Sequence, residues 1–364
     1  MKKNLLIYIP SIEDGGVEKN LYILSKYLSK KSIKIFLLSC NFNKIHFFNK
    51  SISYLGAKNH FFNKMPRMIK NFICMIILFF NLIFFNKKYV IFAFQSSITA
   101  IIIAKIFGNK VVTRSNSSPV SFSNNLFYTA LYSFIIKFAD EVIVNSYEFS
   151  KLFFKKFKRK TITIYNPFIS KTVKKLSKIK IKKSFFKNNL NIISVGRLTD
   201  QKNHITQLKA IRYIDRKFNP NLTIIGKGYK EKYLKSYIEN NNINKKVQLI
   251  GYKKNPFPYI VRSDILILSS KFEGLPNILL EAQYLKKYII SSNCSSGPKE
   301  ILMNGKAGDL FKVNDYKGLA KKINTYCKNK NKFRKKILVG FNNLHRFNYN
   351  KNCKKYYEIL NNFF

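Results

Sequence analysis

Two carboxylates, Glu273 and Glu281, stand eight positions apart in a chain with 67 Lys+Arg and only 17 Asp+Glu. Between them runs Gly274-Leu275-Pro276-Asn277-Ile278-Leu279-Leu280. Pro276 suits the first turn of a helix, where its missing N–H removes no hydrogen bond. Glu273 then falls on the loop before that helix and Glu281 inside it. The amides of Asn277 and Ile278 open toward the same place as Glu273. Such a pocket binds sugar hydroxyls with one carboxylate and ribose hydroxyls with the other, while the amides hold phosphate. The plainer reading is a helix cap beside a solvated Glu.

Three other segments carry groups of the same kind. Val195-Gly196-Arg197-Leu198-Thr199-Asp200-Gln201-Lys202-Asn203 follows a strand-like run. There Arg197, a planar fork, and Lys202, a point charge, can converge on a diphosphate. Ile12-Glu13-Asp14-Gly15-Gly16-Val17-Glu18-Lys19 lies between a strand and a helix. Gly15 and Gly16 let backbone approach a ligand, and the helix start offers amides to an anion. The segment is not the dinucleotide fingerprint, and a tight turn explains it equally well. Ser292-Asn293-Cys294-Ser295-Ser296-Gly297-Pro298-Lys299-Glu300-Ile301-Leu302 has strand–turn–helix character, and Gly226-Lys227-Gly228 is a further glycine turn after a strand.

Positioning these groups requires alternating strands and helices, and the chain reads that way. Leu5–Ile9, Ile33–Leu38, Val90–Phe94, Lys110–Thr113, Glu141–Asn145 and Thr161–Tyr165 are short runs rich in Val, Ile and Phe. Helical patterns over Val17–Ser29, Ile98–Phe107 and Phe127–Phe138 lie between them. From 170 to 189 the chain is mostly Lys, Ser and Asn without a strong period, as in a linker. Strand-like runs then resume at Leu190–Val195, Asn221–Ile225, Val247–Ile250, Ile265–Ser269 and Tyr288–Ser291. Helices are expected at His204–Asp215, Lys230–Asn240, Asn277–Leu285 and Pro298–Met303. The fold class is α/β, with two Rossmann-like, doubly wound parallel-sheet domains facing a cleft. The expected division is a first domain over 1–168, a linker over 169–189 and a second domain over 190–345. A C-terminal helix over 346–364 packs back toward the first domain.

Composition bounds the partners. The net charge of +50 has two readings: A/T-rich codon drift, which should also enrich Glu, or a functional charge. The second implies a polyanion, either an anionic membrane surface or nucleic acid. No RNP-like, KH-like or zinc-finger pattern is present, so no nucleic-acid partner is expected. Lysine mixed with Phe and Ile suits a membrane surface. The five cysteines form no C-x-x-C pair, which fits a reducing cytosol and neither a disulfide framework nor a zinc site. The first residues read as a strand rather than a signal peptide. Asn71–Asn86 is the most apolar stretch and falls short of the roughly 20 apolar residues of a spanning helix. It reads as a buried helix or as an interfacial one with lysines at its ends.

Together, Gly15-Gly16-Val17-Glu18, Gly196-Arg197 with Lys202-Asn203, Gly226-Lys227-Gly228, Glu273 through Glu281 and Gly297-Pro298-Lys299-Glu300-Ile301 resemble family 4 glycosyltransferases of the GT-B fold. The likeness is greatest to bacterial enzymes that build capsule, lipopolysaccharide or lipid-linked oligosaccharide. It implies retaining transfer of a hexose or N-acetylhexosamine from a UDP-sugar, without bound metal or other cofactor. The acceptor is then a lipid-linked or surface-polysaccharide glycan, and the site of action the cytoplasmic face of the bacterial inner membrane. By position, Glu281 holds the donor ribose and Glu273 a donor-sugar hydroxyl. Gly196, Gly274, Leu275, Pro276, Asn277 and Ile278 complete the donor pocket. Arg197 and Lys202 neutralise the diphosphate, and Gly15 and Gly16 admit phosphate from the first domain. Many members carry a histidine after the fourth strand. Here that segment reads Val112-Thr113-Arg114-Ser115-Asn116-Ser117-Ser118-Pro119, which leaves Arg114 or Asn116 for acceptor-side positioning. His46, His60, His204 and His345 read as surface or incidental. A front-face reaction, in which the leaving phosphate takes the acceptor proton, needs no general base. Two other readings stay open: a basic nucleic-acid-binding protein, and a sugar-nucleotide epimerase or phosphorylase on the same fold.

Overall fold

The computed structural model describes residues 3–13, 15–85, 88–95, 97–116, 119, 125–181 and 190–364. Asp14, Asn86, Ser117, Ser118 and the part of the expected linker over 182–189 lie outside the described residues. The chain divides into two compact units, Met1–Pro167 with Tyr349–Phe364, and Phe168–Asn348.

The first unit holds seven strands: β1 (Asn4–Tyr8), β2 (Lys34–Leu38), β3 (Ser53–Tyr54), β4 (Val90–Ala93), β5 (Lys110–Arg114), β6 (Glu141–Val144) and β7 (Ile162–Thr163). They pair in parallel in the order β3-β2-β1-β4-β5-β6-β7. Side chains alternate between the two faces, as the period of two requires. Leu5 and Ile7 point to one face, against α1 (Gly16–Leu28) and the C-terminal helix α14 (Tyr349–Asn361). Leu21, Leu24 and Leu28 put one stripe of α1 into that core, and Tyr356 and Leu360 do so for α14. Leu6 and Tyr8 point to the other face. There lie α2 (Arg67–Phe85), α3 (Ser97–Ile106), α4 (Leu126–Ile135) and α5 (Tyr147–Phe157). Helix α5 starts where Ser146 accepts a hydrogen bond from the Phe149 amide at 3.1 Å. It then buries Phe149, Phe153 and Phe157 at the spacing of a helical face.

The apolar stretch expected over Asn71–Asn86 is α2, and only one of its stripes is buried. Lys70, Cys74, Leu78 and Leu82 face the sheet at i, i+4 intervals. Cys40 at the end of β2 meets Cys74 with its Sγ 3.4 Å away. The outer stripe is exposed and equally apolar, with Phe84 at 74% exposure.

The second unit holds β8 (Asn191–Val195), β9 (Asn221–Ile225), β10 (Val247–Leu249), β11 (Ile265–Leu268), β12 (Tyr288–Ser292) and β13 (Asp309–Phe311). All pairings are parallel, in the order β10-β9-β8-β11-β12-β13. The helices around it include α7 (His204–Ala210), α8 (Glu231–Asn240), α9 (Phe257–Val261), α10 (Asn277–Tyr284), α11 (Pro298–Ile301), α12 (Tyr316–Lys328) and α13 (Lys330–Asn342).

Several local readings change. Strands β3 and β13 are two and three residues long, too short to show an alternation. The helix expected over His204–Asp215 ends at Ala210 and gives way to 3-10 turns at Ile211–Tyr213 and Arg216–Phe218. The stretch without a strong period contains helix α6 (Ser170–Ser177), whose Val173 is buried. Its last turn is held by a hydrogen bond from Asn255 Nδ2 to the Leu176 carbonyl at 2.9 Å. Tertiary packing, rather than sequence period, fixes that helix. Pro276 stands one residue before α10, as its N-cap, instead of inside its first turn.

Candidate functional site

In the second unit, adjacent strands β9, β8, β11 and β12 deliver their carboxyl ends to one edge of the sheet. Open α/β sheets bind ligands at that edge. The loops that leave it are Gly226-Lys227-Gly228, Gly196–Asn203, Ser269–Pro276 and Asn293–Gly297. They are packed closely enough to demand glycine. A Cβ on Gly226 would lie 1.9 Å from the Gly196 carbonyl oxygen, and one on Gly297 the same distance from the Gly274 carbonyl oxygen. No other residue type fits at either place without moving backbone.

Lys202 and Glu273, 71 residues apart, meet here at 2.5 Å between Nζ and Oε1. Glu273 is 7% exposed, and its Oε1 also accepts from Ser270 Oγ at 2.5 Å. Ser296 Oγ donates to the Glu273 carbonyl, which ties the Asn293–Gly297 loop to this carboxylate. The aliphatic stem of Lys202 runs beside Gly196, where a Cβ would meet its Cδ at 3.4 Å. A Lys held at both ends in this way gives up less rotamer freedom when an anion arrives.

Beneath the pair lies a buried polar network. Gln207 on α7 donates to Ser194 Oγ at 2.9 Å and to Ser269 Oγ at 2.7 Å. Ser269 Oγ in turn donates to the carbonyls of Lys202 and Asn203, at 2.9 and 3.0 Å. The Lys271 amide donates to the Gln201 carbonyl at 2.8 Å. Gln201 Nε2 donates to the Phe272 carbonyl at 3.0 Å. These bonds lock the Gly196–Asn203 loop to the Ser269–Glu273 loop, so the two predicted segments act as one unit. The network leaves Gln207 Oε1 and His204 Nε2 buried without a hydrogen-bond partner, yet its bonds still hold the two loops together.

His204 belongs to that network and corrects its reading as surface or incidental. It is fully buried at the start of α7, with Nδ1 3.4 Å from Ser194 Oγ. Burial pushes its pKa down to about 4, and the Lys202 charge acts in the same direction, so the ring is neutral near pH 7. Cys294 is also buried near Glu273. Burial first, and then that carboxylate, raise its thiol to about 12, which removes it as a nucleophile.

Glu281 is 6% exposed inside α10. Leu275 is buried before the helix, and Asn277 and Ile278 open it. Pro276 gives the helix no capping side chain, so its first turn relies on other acceptors. Arg197 is exposed. Its neighbour Leu198 is buried and donates its amide to the Lys227 carbonyl at 3.0 Å.

The remaining residues singled out in the sequence lie in the first unit. Gly15 is the N-cap of α1 and Gly16 its first residue. Glu18 folds back over this turn, so a Cβ on Gly15 would come 2.7 Å from its Oε2. Its carboxylate is 4% exposed and accepts from Gln95 Nε2 at 3.3 Å, and burial raises its pKa. An acidic side chain thus stands at the anion-attracting start of this helix. Arg114 is buried at the end of β5 and donates to Tyr356 Oη at 2.8 Å, to Asn166 Oδ1 at 2.7 Å and to Asn116 Oδ1. Its guanidinium also lies 4.6 Å from the centre of the Phe94 ring. Asn116 donates to the Phe94 carbonyl at 2.7 Å. Arg114 therefore ties α14 to the sheet and orients Asn116.

The sequence reading did not single out Ser269, Ser270, Gln207 or the place of His204. All except Gln207 sit in or beside the quoted motifs. Ser269 ends a predicted strand, and that position was the available signal. Among the described residues no group of three or more His, Cys, Asp or Glu side chains gathers as metal ligands do.

Comparison with known proteins follows the same edge of the second sheet. The family described as glycosyl transferases group 1 matches residues 177–338. An uncharacterized glycosyltransferase of Methanocaldococcus jannaschii is 32% identical over 222 residues, which cover 57% of this chain and 55% of that protein. The N-acetylgalactosamine-N,N'-diacetylbacillosaminyl-diphospho-undecaprenol 4-alpha-N-acetylgalactosaminyltransferase of Campylobacter jejuni is 27% identical over 236 residues, 62% of each chain. The chain thus spans little more than half the length of the curated relatives it matches. In structure it is similar to the HepE protein of Anabaena, solved in complex with UDP. The TM-score is 0.80 at 18% identity, covering 100% of both chains. That likeness shows the fold: two parallel-sheet α/β units of the GT-B type.

Proposed function

Residues 177–338 match the glycosyl transferases group 1 family, and from that premise we propose that the chain is a retaining, metal-independent hexosyltransferase. Its donor is a UDP-sugar carrying a hexose or N-acetylhexosamine, and its acceptor a lipid-linked or surface-polysaccharide glycan. It acts at the cytoplasmic face of the bacterial inner membrane. The observation that carries this reading is the Lys202–Glu273 pair at 2.5 Å on the carboxyl edge of the second sheet, Glu273 buried and Lys202 half-buried. A held cation beside a carboxylate, near the positive end of a helix, suits a sugar bearing a diphosphate.

The roles follow from chemistry. Glu281 accepts from the donor ribose hydroxyls, and Glu273 from a hydroxyl of the donor sugar. The amides of Asn277 and Ile278 lie at the positive end of α10 and favour phosphate oxygens. Gly196, Gly274, Leu275 and Pro276 shape the backbone around the donor. Lys202 and Arg197 stabilise the charge that develops as the bond from sugar C1 to phosphate breaks. The acceptor oxygen attacks C1 on the face the diphosphate leaves, and its proton passes to the leaving phosphate oxygen. The products are an α-linked glycan, for an α-linked donor, and UDP. Asn116, held by Arg114, positions the acceptor.

The Campylobacter jejuni relative acts on a diphospho-undecaprenol substrate by its name, and the Anabaena fold neighbour binds UDP; both support this choice of partners. The test incubates the full chain with a panel of UDP-sugars and an undecaprenyl-diphosphate-linked disaccharide. Acceptor-dependent UDP release with one donor is expected, with retained configuration and no loss of rate in EDTA. Release from a GDP- or ADP-sugar alone, an inverted product or abolition by EDTA would each overturn the corresponding part.

A further inference from the structure

The first unit carries an apolar surface that its own fold does not cover. Helices α2, α3 and α4 lie side by side on one face of its sheet, α2 against α3 and α3 against α4. Their inner stripes form the core. Their outer stripes expose Phe72, Phe80 and Phe84 on α2, Ile106 on α3, and Phe127 and Phe134 on α4. Phe127 is 77% exposed. Contiguous large apolar side chains of this kind mark interaction sites rather than ordinary surface. Helix α2 is long and apolar enough to cross a membrane by length and composition. Yet Cys74, Leu78 and Leu82 belong to the sheet's core. A spanning helix would have to leave that core.

The charge around the patch selects the occupant. Between Glu18 and Asp140 the sequence has no Asp or Glu at all, while Lys and Arg recur throughout. Lys64 and Arg67 are exposed at the start of α2, Lys88 shortly after its end, and Lys137 just past α4. Asp140, at the far end of this stretch, is already paired with Lys105 at 2.6 Å and Lys110 at 3.4 Å. An apolar face rimmed by cations and free of acids is complementary to acyl chains below a layer of anionic headgroups. A second protein copy would bring the same positive charge to the contact and be repelled. A nucleic acid would leave the aliphatic and phenyl groups in water.

We propose that the outer face of α2, α3 and α4 docks flat on an anionic phospholipid bilayer, inserting its phenyl groups among the headgroups while the cations bind phosphate. The proposal rests on the lipid-linked-acceptor reading for its purpose but not for its geometry.

The test is flotation of the full chain with phosphatidylglycerol–phosphatidylethanolamine vesicles, alongside pure phosphatidylcholine vesicles and 0.5 M salt. The wild type is expected to float with the anionic vesicles and to partition at least tenfold less in either control. Phe80→Ser/Phe84→Ser on α2 and Phe127→Ser on α4 should each lower partitioning at least tenfold. Both variants should keep wild-type UDP release with water-soluble acceptors. Lys202→Met should float like the wild type whether or not the chain turns over UDP-sugars, which separates this surface from the donor site. Absence of wild-type flotation would overturn the proposal, as would unchanged flotation of both variants. So would a dimer in light scattering that both variants dissolve, or RNA binding that displaces the vesicles.

Discussion

The two units have sheets of the same parallel, doubly wound kind, yet the sites proposed on them lie in different places. In the second unit the proposed site lies at the carboxyl edge of the sheet. Four loops there interlock through close-packed glycines, the Lys202–Glu273 pair and a network of Ser, Gln and His side chains. In the first unit the corresponding turn at Gly15-Gly16 is covered by the unit's own Glu18. The distinctive surface is instead the outer side of a helical layer. Charge divides the same way, since most of the 17 acidic residues lie in the second unit. The proposed donor site needs one fixed geometry for a small polar ligand. The first unit presents a broad face whose composition matters more than any single position.

The largest expected break in that contrast is at Lys202. Lys202→Met should lower UDP-sugar turnover by roughly 10²–10³-fold, as loss of one preorganised charge partner does. It also leaves Glu273 buried without its cation. The double variant Lys202→Met/Glu273→Gln should therefore restore thermal stability without restoring turnover. Recovery of turnover in the double variant would show that the pair is only structural.

In the first unit the comparable single substitution is Arg114→Met. It removes hydrogen bonds to Tyr356, Asn166 and Asn116. A loss of about 3 kcal/mol is expected, at about 1 kcal/mol for each hydrogen bond lost. It should appear as earlier thermal unfolding and faster proteolysis near α14. Donor binding in the folded protein should change little.

Gly297→Ala comes next. Its Cβ would lie 1.9 Å from the Gly274 carbonyl oxygen, so the Asn293–Gly297 loop must move off the Glu273 loop. About 2 kcal/mol of stability should be lost, with a raised donor KM. An unchanged KM would mean that this loop approach does not shape the donor pocket.

The smallest effect is a pH dependence. His204 has its pKa lowered from 6.5 to about 4. The unfolded chain takes up this proton first, so the stability is fully present above pH 6.5 and is lost as pH falls toward 4. About 1 kcal/mol should be gone near pH 5.5. His204→Gln should flatten that part of the thermal-stability profile, and a profile of unchanged slope would contradict the buried, neutral assignment.

How much of this could be read from the sequence follows the same division. The strands of both sheets, β3 and β13 excepted, announce themselves through short Val-, Ile- and Phe-rich runs, and the proposed donor-site loops through glycines placed just after them. The meeting of Lys202 with Glu273 could not be read, because 71 residues separate them and only the parallel order of β8 and β11 brings them together. The burial of His204 left no trace in its polar neighbours. Apolar content alone could not tell the inner stripe of α2, through Cys74, Leu78 and Leu82, from the outer one through Phe72, Phe80 and Phe84. Both are hydrophobic, and only packing against the sheet distinguishes them. Helix α6 had too few apolar residues to show a period and is held by Val173 and Asn255.

The central claim is that the second unit holds a nucleotide diphosphate through its Glu273–Glu281 segment. Calorimetric titration of UDP into the full chain and into Glu281→Ala tests it most directly. The wild type should bind UDP, and Glu281→Ala should bind it roughly 10–100-fold more weakly, as loss of a charged hydrogen-bond acceptor implies, with an unchanged circular dichroism spectrum. Equal affinity of the two proteins for UDP would contradict the account.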